Sequence, residues 1–86
     1  MNRDEEVRIL GVRITDRNKE AGDIQKVLTN YGCSIRTRLG LHEVSTEICS
    51  SKGLLILELI GDKTEQDKLE AALIGVAGVQ VRKMVF

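Results

Sequence analysis

Aromatic residues are almost missing from this chain. They make up 2% of it, Tyr31 and Phe86, and there is no tryptophan. Binding by stacking bases on aromatic platforms is excluded in practice, and the core has to be built from Val, Ile and Leu. A surplus of charge is missing too. Lys+Arg and Asp+Glu are both 13, for a formal net charge of zero. A nucleic-acid reader shows a basic surplus or a basic face, so direct nucleic-acid binding is not expected. Zero net charge also gives copies of the chain little reason to repel one another. Two cysteines, Cys33 and Cys49, make no disulfide framework. No run reaches the roughly 20 apolar residues a membrane helix needs. Met1 to Glu6 is charged, without the apolar centre of a secretion signal. These absences together imply a cytoplasmic protein with reduced thiols.

What is present fits one domain over residues 1–86, large enough for a single core. Val7 to Ile14 is predicted as strand one, apolar on both parities and therefore central. Asn18 to Tyr31 is predicted as helix one. Its stripe is Ile24, Val27, Leu28 and Tyr31, spaced i, i+3, i+4, i+7. Gly32 suits a left-handed cap after it. Ser34 to Leu41 is strand two, with Ile35, Thr37, Leu39 and Leu41 expected on one face and Arg36 and Arg38 on the other. Glu43 to Lys52 is a polar connection. Gly53 to Gly61 is strand three. Thr64 to Val76 is helix two, with Thr64 as N-cap of a capping-box-like Thr-Glu-Gln-Asp and a stripe of Leu69, Ala72, Leu73 and Val76. Val79 to Phe86 is strand four.

The order β-α-β-β-α-β is that of the split βαβ, or ferredoxin-like, arrangement: an α+β two-layer sandwich with a four-stranded antiparallel sheet. Strands one and three are its middle pair, and they are the most apolar here. Strand three adds a second message. If Leu55, Leu57 and Leu59 face the helices, Leu54, Ile56 and Ile60 face the other way, where the chain has nothing left to cover them. A water-facing sheet surface is normally polar, and contiguous exposed apolar surface marks interfaces. A second copy of the chain is expected there. Glu58 lies in the same stretch and is expected to pair with Arg36 or Arg38 of the neighbouring strand.

Signatures of catalysis are absent: no GxSxG, P-loop, HExxH or CxxC. The chain therefore reads as non-enzymatic, with no cofactor. For a metal the available ligands are His42, Glu43, Cys33 and Cys49, which would suit zinc or nickel, but no spacing matches a compact ligand pair. The plainer reading leaves His42 solvated at the end of strand two and packs Cys33 as a small hydrophobe. The junction after strand one, Thr-Asp-Arg-Asn, offers more. A loop that opens a helix presents free N–H groups to an anion. Asp16 can meet an amine there, and Asn18 with the N–H groups can meet a carboxylate. Capping of helix one by Asp16 or Asn18 alone explains the same residues.

Asp16-Arg17, then Gly22, then Tyr31-Gly32-Cys33-Ser34-Ile35, resembles the ACT domain pattern, with a loop opening helix one and a glycine turn leading into strand two. The Pro that follows Arg in that pattern is absent here, and Ser34 stands where Asn is common. From Val7 to Val85 the chain is similar to a stand-alone ACT-like family, the iron-only hydrogenase system regulators. The likeness runs through Gly11 to Arg17, the Tyr31-Gly32 helix end, Arg38-Leu39-Gly40-Leu41, and Gly78-Val79. It implies a bacterial, cytoplasmic regulatory protein that assembles as a homodimer or homotetramer. It also implies a small-molecule effector at a subunit interface, with Asp16 and Asn18 contacting it and Ile35 and Arg36 lining the interface side. A similarity to the C-terminal domain of the nickel-responsive regulator implies an alternative, a metal sensor using His42 and Cys49. A third reading is a ligand-free protein–protein interaction module. In the regulatory readings DNA is reached through a protein partner, because the chain holds no helix-turn-helix or ribbon-helix reader.

Overall fold

The computed structural model describes residues 6–15, 17–44 and 49–86, with the backbone only for 17–21, 41–44 and 49–52. The elements are β1 (Arg8–Ile14), α1 (Arg17–Asn30), a single 3-10 turn (Gly32–Ser34), β2 (Ile35–Val44), β3 (Cys49–Leu59), α2 (Lys63–Ile74) and β4 (Val79–Val85). The strands form one antiparallel sheet in the order β2-β3-β1-β4, with β3 and β1 in the middle. The fold is ferredoxin-like α+β.

Both helices lie on one face, over an aliphatic core. Leu10 and Val12 of β1, Leu55, Leu57 and Leu59 of β3, Ile24 and Leu28 of α1, and Leu69 and Leu73 of α2 are all buried. With the aromatic contribution missing, each such side chain supplies about 1.5–3 kcal/mol of burial. The predicted stripe of α1 faces this core, and Val27 and Tyr31 pack at its margin. In α2 the buried spacing is Gln66, Leu69, Leu73. Gln66 is tolerated there because its amide Nε2 donates to the Gly61 carbonyl at 2.9 Å.

Several boundaries differ from the sequence expectation. Gly32 opens a 3-10 turn instead of a left-handed cap, and it is Gly61 and Gly78 that take positive φ, 89° and 82°. Each reverses the chain between a strand and α2, where a side chain would be strained. The N-cap of α2 is Asp62, not Thr64: Asp62 Oδ1 accepts from Thr64 N at 2.7 Å. A carboxylate placed before the first turn also complements the helix dipole. The strands of the second hairpin are longer than predicted. β2 runs to Val44 and β3 starts at Cys49, with Val44 opposite Cys49, so six of the ten residues of the predicted polar connection are strand. Ser50 and Ser51 are compatible with an extended strand, and their polarity concealed it. Cys33 is exposed, not packed as a small hydrophobe.

Among the described residues one charge is buried. The Arg8 side chain is 9% exposed; its Nη1 donates to Asp67 Oδ1 at 2.7 Å and Glu70 Oε1 at 3.4 Å, both on α2. Glu70 also meets Lys83 of β4 at 3.4 Å. The network ties β1, β4 and α2 together at one end of the sheet. The hydrogen bond to Asp67, with the charges of Asp67, Glu70 and Glu6, raises the Arg8 pKa above its ordinary value, while burial opposes the shift. A group whose pKa is raised on folding stabilises fully below its unfolded value and loses that effect only above it. From the Arg8 side the contribution is therefore constant through the neutral range. Arg8→Met is expected to cost about 2–3 kcal/mol, because it removes the charge-assisted bond to Asp67 and leaves Glu70 with Lys83 alone. Lys68→Met, on the solvent side of α2, is expected to cost less than about 0.5 kcal/mol. Urea unfolding at one fixed protein concentration measures both.

Candidate functional site

The face of the sheet away from the helices is set by the register. Across the sheet, Thr37, Glu58, Ile9 and Met84 form one row; Leu39, Ile56, Gly11 and Arg82 form the next; Leu54, Arg13 and Gln80 lie in the third. Side chains directly opposite one another share a face, and the odd-numbered β3 leucines point into the core. These rows are therefore the outer face.

This corrects the expected arrangement of β2. Ile35 pairs with Leu59, but Thr37 pairs with Glu58, so β2 holds one residue more than β3 across this step. The surplus residue is a β-bulge at Arg36. A one-residue slip moves every following side chain to the other face. Ile35, before the bulge, packs against the core. Thr37 and Leu39, after it, are on the outer face, and Leu39 is 51% exposed. Arg38 turns to the helix side, where its Nη2 donates to Gln25 Oε1 of α1 at 2.8 Å. Glu58 therefore pairs with neither Arg36 nor Arg38. Its Oε1 accepts from Thr37 Oγ1 at 2.8 Å, the directly opposite residue. Leu41 is the register partner of Leu54. Its side chain, with those of Asn18, His42, Glu43 and Cys49, lies outside the described residues, as does Asp16 altogether.

The result is an apolar centre on the outer face. Leu39, Ile56, Ile9, Leu54 and Met84 surround Gly11, whose missing side chain leaves a shallow dent. Leu54 is 40% exposed and Met84 57%. Ile60 lies just past the last ladder pair and is exposed too, with its N–H donating to the Ser34 carbonyl at 2.9 Å. Arg13, Arg82, Gln80 and Glu58 stand around the centre. Sequence reasoning found Leu54 and Ile56 from the double parity of β3. It missed Leu39, since an alternating strand does not announce a bulge. Gly11 and Met84 were findable from the register of the two middle strands, had strand four been aligned with them.

Of the four residues expected at an effector site, Asp16 and the side chain of Asn18 lie outside the described residues. The end of β1 at Ile14 is level with Gly53, while Ile35 is level with Leu59 at the other end of the sheet. Six residues of strand separate those levels, about 20 Å. Arg36 is exposed at the bulge. Among the described residues no group of three or more His, Cys, Asp and Glu side chains is placed to hold a metal ion, and no helix is long and apolar enough to cross a membrane.

The chain is similar to the structure of the uncharacterized protein TM1266 from Thermotoga maritima. The two share 25% identity over 95% of this chain and 99% of that one, with a TM-score of 0.78. Looser likenesses are a dimeric ferredoxin-like protein of unknown function from Thermobifida fusca and LarC2. The first has 10% identity, 94% and 91% coverage and a TM-score of 0.47. LarC2, the C-terminal domain of a cyclometallase involved in the synthesis of the NPN cofactor of lactate racemase, has 12% identity, 95% and 56% coverage and a TM-score of 0.49. No protein-family model and no curated protein matches the chain.

The bulge has a direct test. Leu39→Lys, at a position that is solvent-facing in the single chain, is expected to leave a cooperatively folded protein, within about 0.5 kcal/mol of the parent at the lowest workable concentration. Leu57→Lys, in the core on the neighbouring strand, is expected to unfold it. Urea unfolding followed by far-UV circular dichroism separates the two, and equal losses would contradict the register.

Proposed function

We propose that this chain is a non-enzymatic ACT-like regulatory protein that works as a homo-oligomer, a homodimer or homotetramer joined through the outer face of its sheet. The observation that carries this reading is the apolar centre formed by Leu39, Leu54, Ile56, Ile9 and Met84. A two-layer sandwich covers only one side of its sheet, and a water-facing side of this composition is what interfaces look like. The end-to-end resemblance to the stand-alone ACT-like family supports the regulatory part. The similarity to a solved structure of an uncharacterized protein over nearly the full length of both chains supports the fold of this reading. On that resemblance the protein acts in the bacterial cytoplasm on the iron-only hydrogenase system, through a protein partner that makes any DNA contact.

The effector site of this reading is shared between copies. The end of β1 and the start of β2 lie at opposite ends of the sheet, which supports a reading in which Asp16 and Asn18 of one copy meet the molecule together with Ile35 and Arg36 of another. Such a molecule favours the subunit arrangement that completes its site, and the assembly then holds a different partner: a population shift.

Native mass spectrometry of the untagged protein over a concentration series tests the reading. A dimer or tetramer is expected for the parent. Ile56→Lys places an ammonium in the middle of the contact in each copy and is expected to weaken association by at least about 100-fold, with the fold retained. A parent that stays monomeric at micromolar concentration overturns the oligomer. Retention of an extra mass that Asp16→Ala loses supports the effector site.

A further inference from the structure

The outer face of the sheet is apolar in its middle, and the charges around that middle are unevenly placed. Glu58 stands in the first row, between Thr37 of β2 and Ile9 of β1. It is half-buried, and Thr37 Oγ1 holds its Oε1 at 2.8 Å. Among the described residues no ammonium or guanidinium group lies within 4.0 Å of it. The bases of this face are elsewhere. Arg82 is in the second row, on the far edge strand, and Arg13 is in the third row, opposite Leu54. Both are exposed. Glu58 and Arg13 sit on neighbouring strands but two rows apart, roughly 14 Å along the sheet.

A half-buried carboxylate at the rim of an apolar surface loses more of its water when that surface is covered. The loss is offset when the cover brings a cation. A second copy of this chain brings one. In a two-fold contact, a residue that meets another is met by it in return. A two-fold axis lying in the contact plane, midway between Glu58 and Arg13, passes between Ile56 and Gly11, in the middle of the apolar centre. Rotation about it sets Glu58 of each copy over Arg13 of the other. The spacing of strands and rows then puts the strands of the two sheets about 40° apart, near the roughly 30° of aligned sheet packing. A placement chosen by charge therefore also stacks apolar centre on apolar centre at an angle that sheet twist favours. A Cβ built at Gly11 would meet only the Arg82 carbonyl, at 4.0 Å, so the dent is open and gives room to the two Ile56 side chains beside the axis.

We infer, resting on the reading of this face as a subunit contact, that two copies of the chain join about a two-fold axis between Ile56 and Gly11, with Glu58 of each bonded to Arg13 of the other. Thr37 orders the carboxylate beforehand. Arg13 has a contact within its own chain, and the five N–H donors of a guanidinium leave some for the second copy's carboxylate.

Charge reversal tests the pairing, read by native mass spectrometry over a concentration series with far-UV circular dichroism to follow the fold. Glu58→Arg alone and Arg13→Glu alone are each expected to fold as the parent does and to self-associate about 30-fold or more weakly. Mixed in equal amounts, the two variants are expected to form mixed assemblies about as tight as the parent's, since every reversed charge then faces its opposite. Glu58→Gln and Arg13→Gln, which keep the side chains' bulk polar and uncharged, are expected to weaken association about fivefold each and by little more when combined. Single reversals that associate as the parent does, a mixture that fails to recover, or glutamine losses that add in full overturn the pairing and leave the outer-face contact standing. A parent that stays monomeric at micromolar concentration overturns the contact itself, and the pairing with it.

Discussion

The structure depends on β3, a central strand that is apolar on both of its faces. One set of its leucines, Leu55, Leu57 and Leu59, is buried under the helices and forms the middle of the core. The other set, Leu54 and Ile56, belongs to a face that no described element of the chain covers. A half-buried antiparallel strand normally alternates apolar and polar residues. Departing from that alternation does nothing for the folded monomer, and its cost falls on solubility. Everything proposed about association follows from that departure.

The bulge at Arg36 acts on both faces of the sheet at once. One extra residue rotates the rest of β2 relative to β3. Leu39 leaves the core side and widens the apolar centre of the outer face. Arg38 leaves the outer face and comes to α1, where Gln25 fixes it. The same residue therefore enlarges the surface suited to another copy and ties β2 to α1. Bulges also disturb the hydrogen-bonding edge of a strand, which discourages pairing with other chains. With β2 at the edge of the sheet, contact through the face is favoured over contact through that edge.

Stability is arranged accordingly. Among the described residues nine aliphatic side chains make the buried core, with Tyr31 only at its margin, and such a core in a small domain is modest. The Arg8 network compensates in part, linking the first strand, the last strand and α2 where a purely apolar contact would have needed larger side chains. Gly61 and Gly78 allow α2 to be entered and left in tight turns, and Thr15 Oγ1 donates to the Gly78 carbonyl at 2.8 Å to close the sheet's other end.

The element order, the middle position of β1 and β3, and the core stripe of α1 are legible along the chain, because each rests on a local repeat of period 2 or 3.6. So is the surplus apolar face of β3. What pairs across the sheet is legible only once the strands are assembled. A bulge leaves the alternation of its own strand intact and changes only the register with the neighbour, so Leu39 looked like core and Arg38 like surface. The N-cap at Asp62 and the longer hairpin were obscured for similar reasons: Thr64 offered an equally good local cap, and polar residues concealed ladder pairing. The placement of Ile35 and Arg36 about 20 Å from the level of the end of β1, and the contact of Arg38 with Gln25, are relations between elements. Spacing along a chain carries no record of those until the sheet has formed.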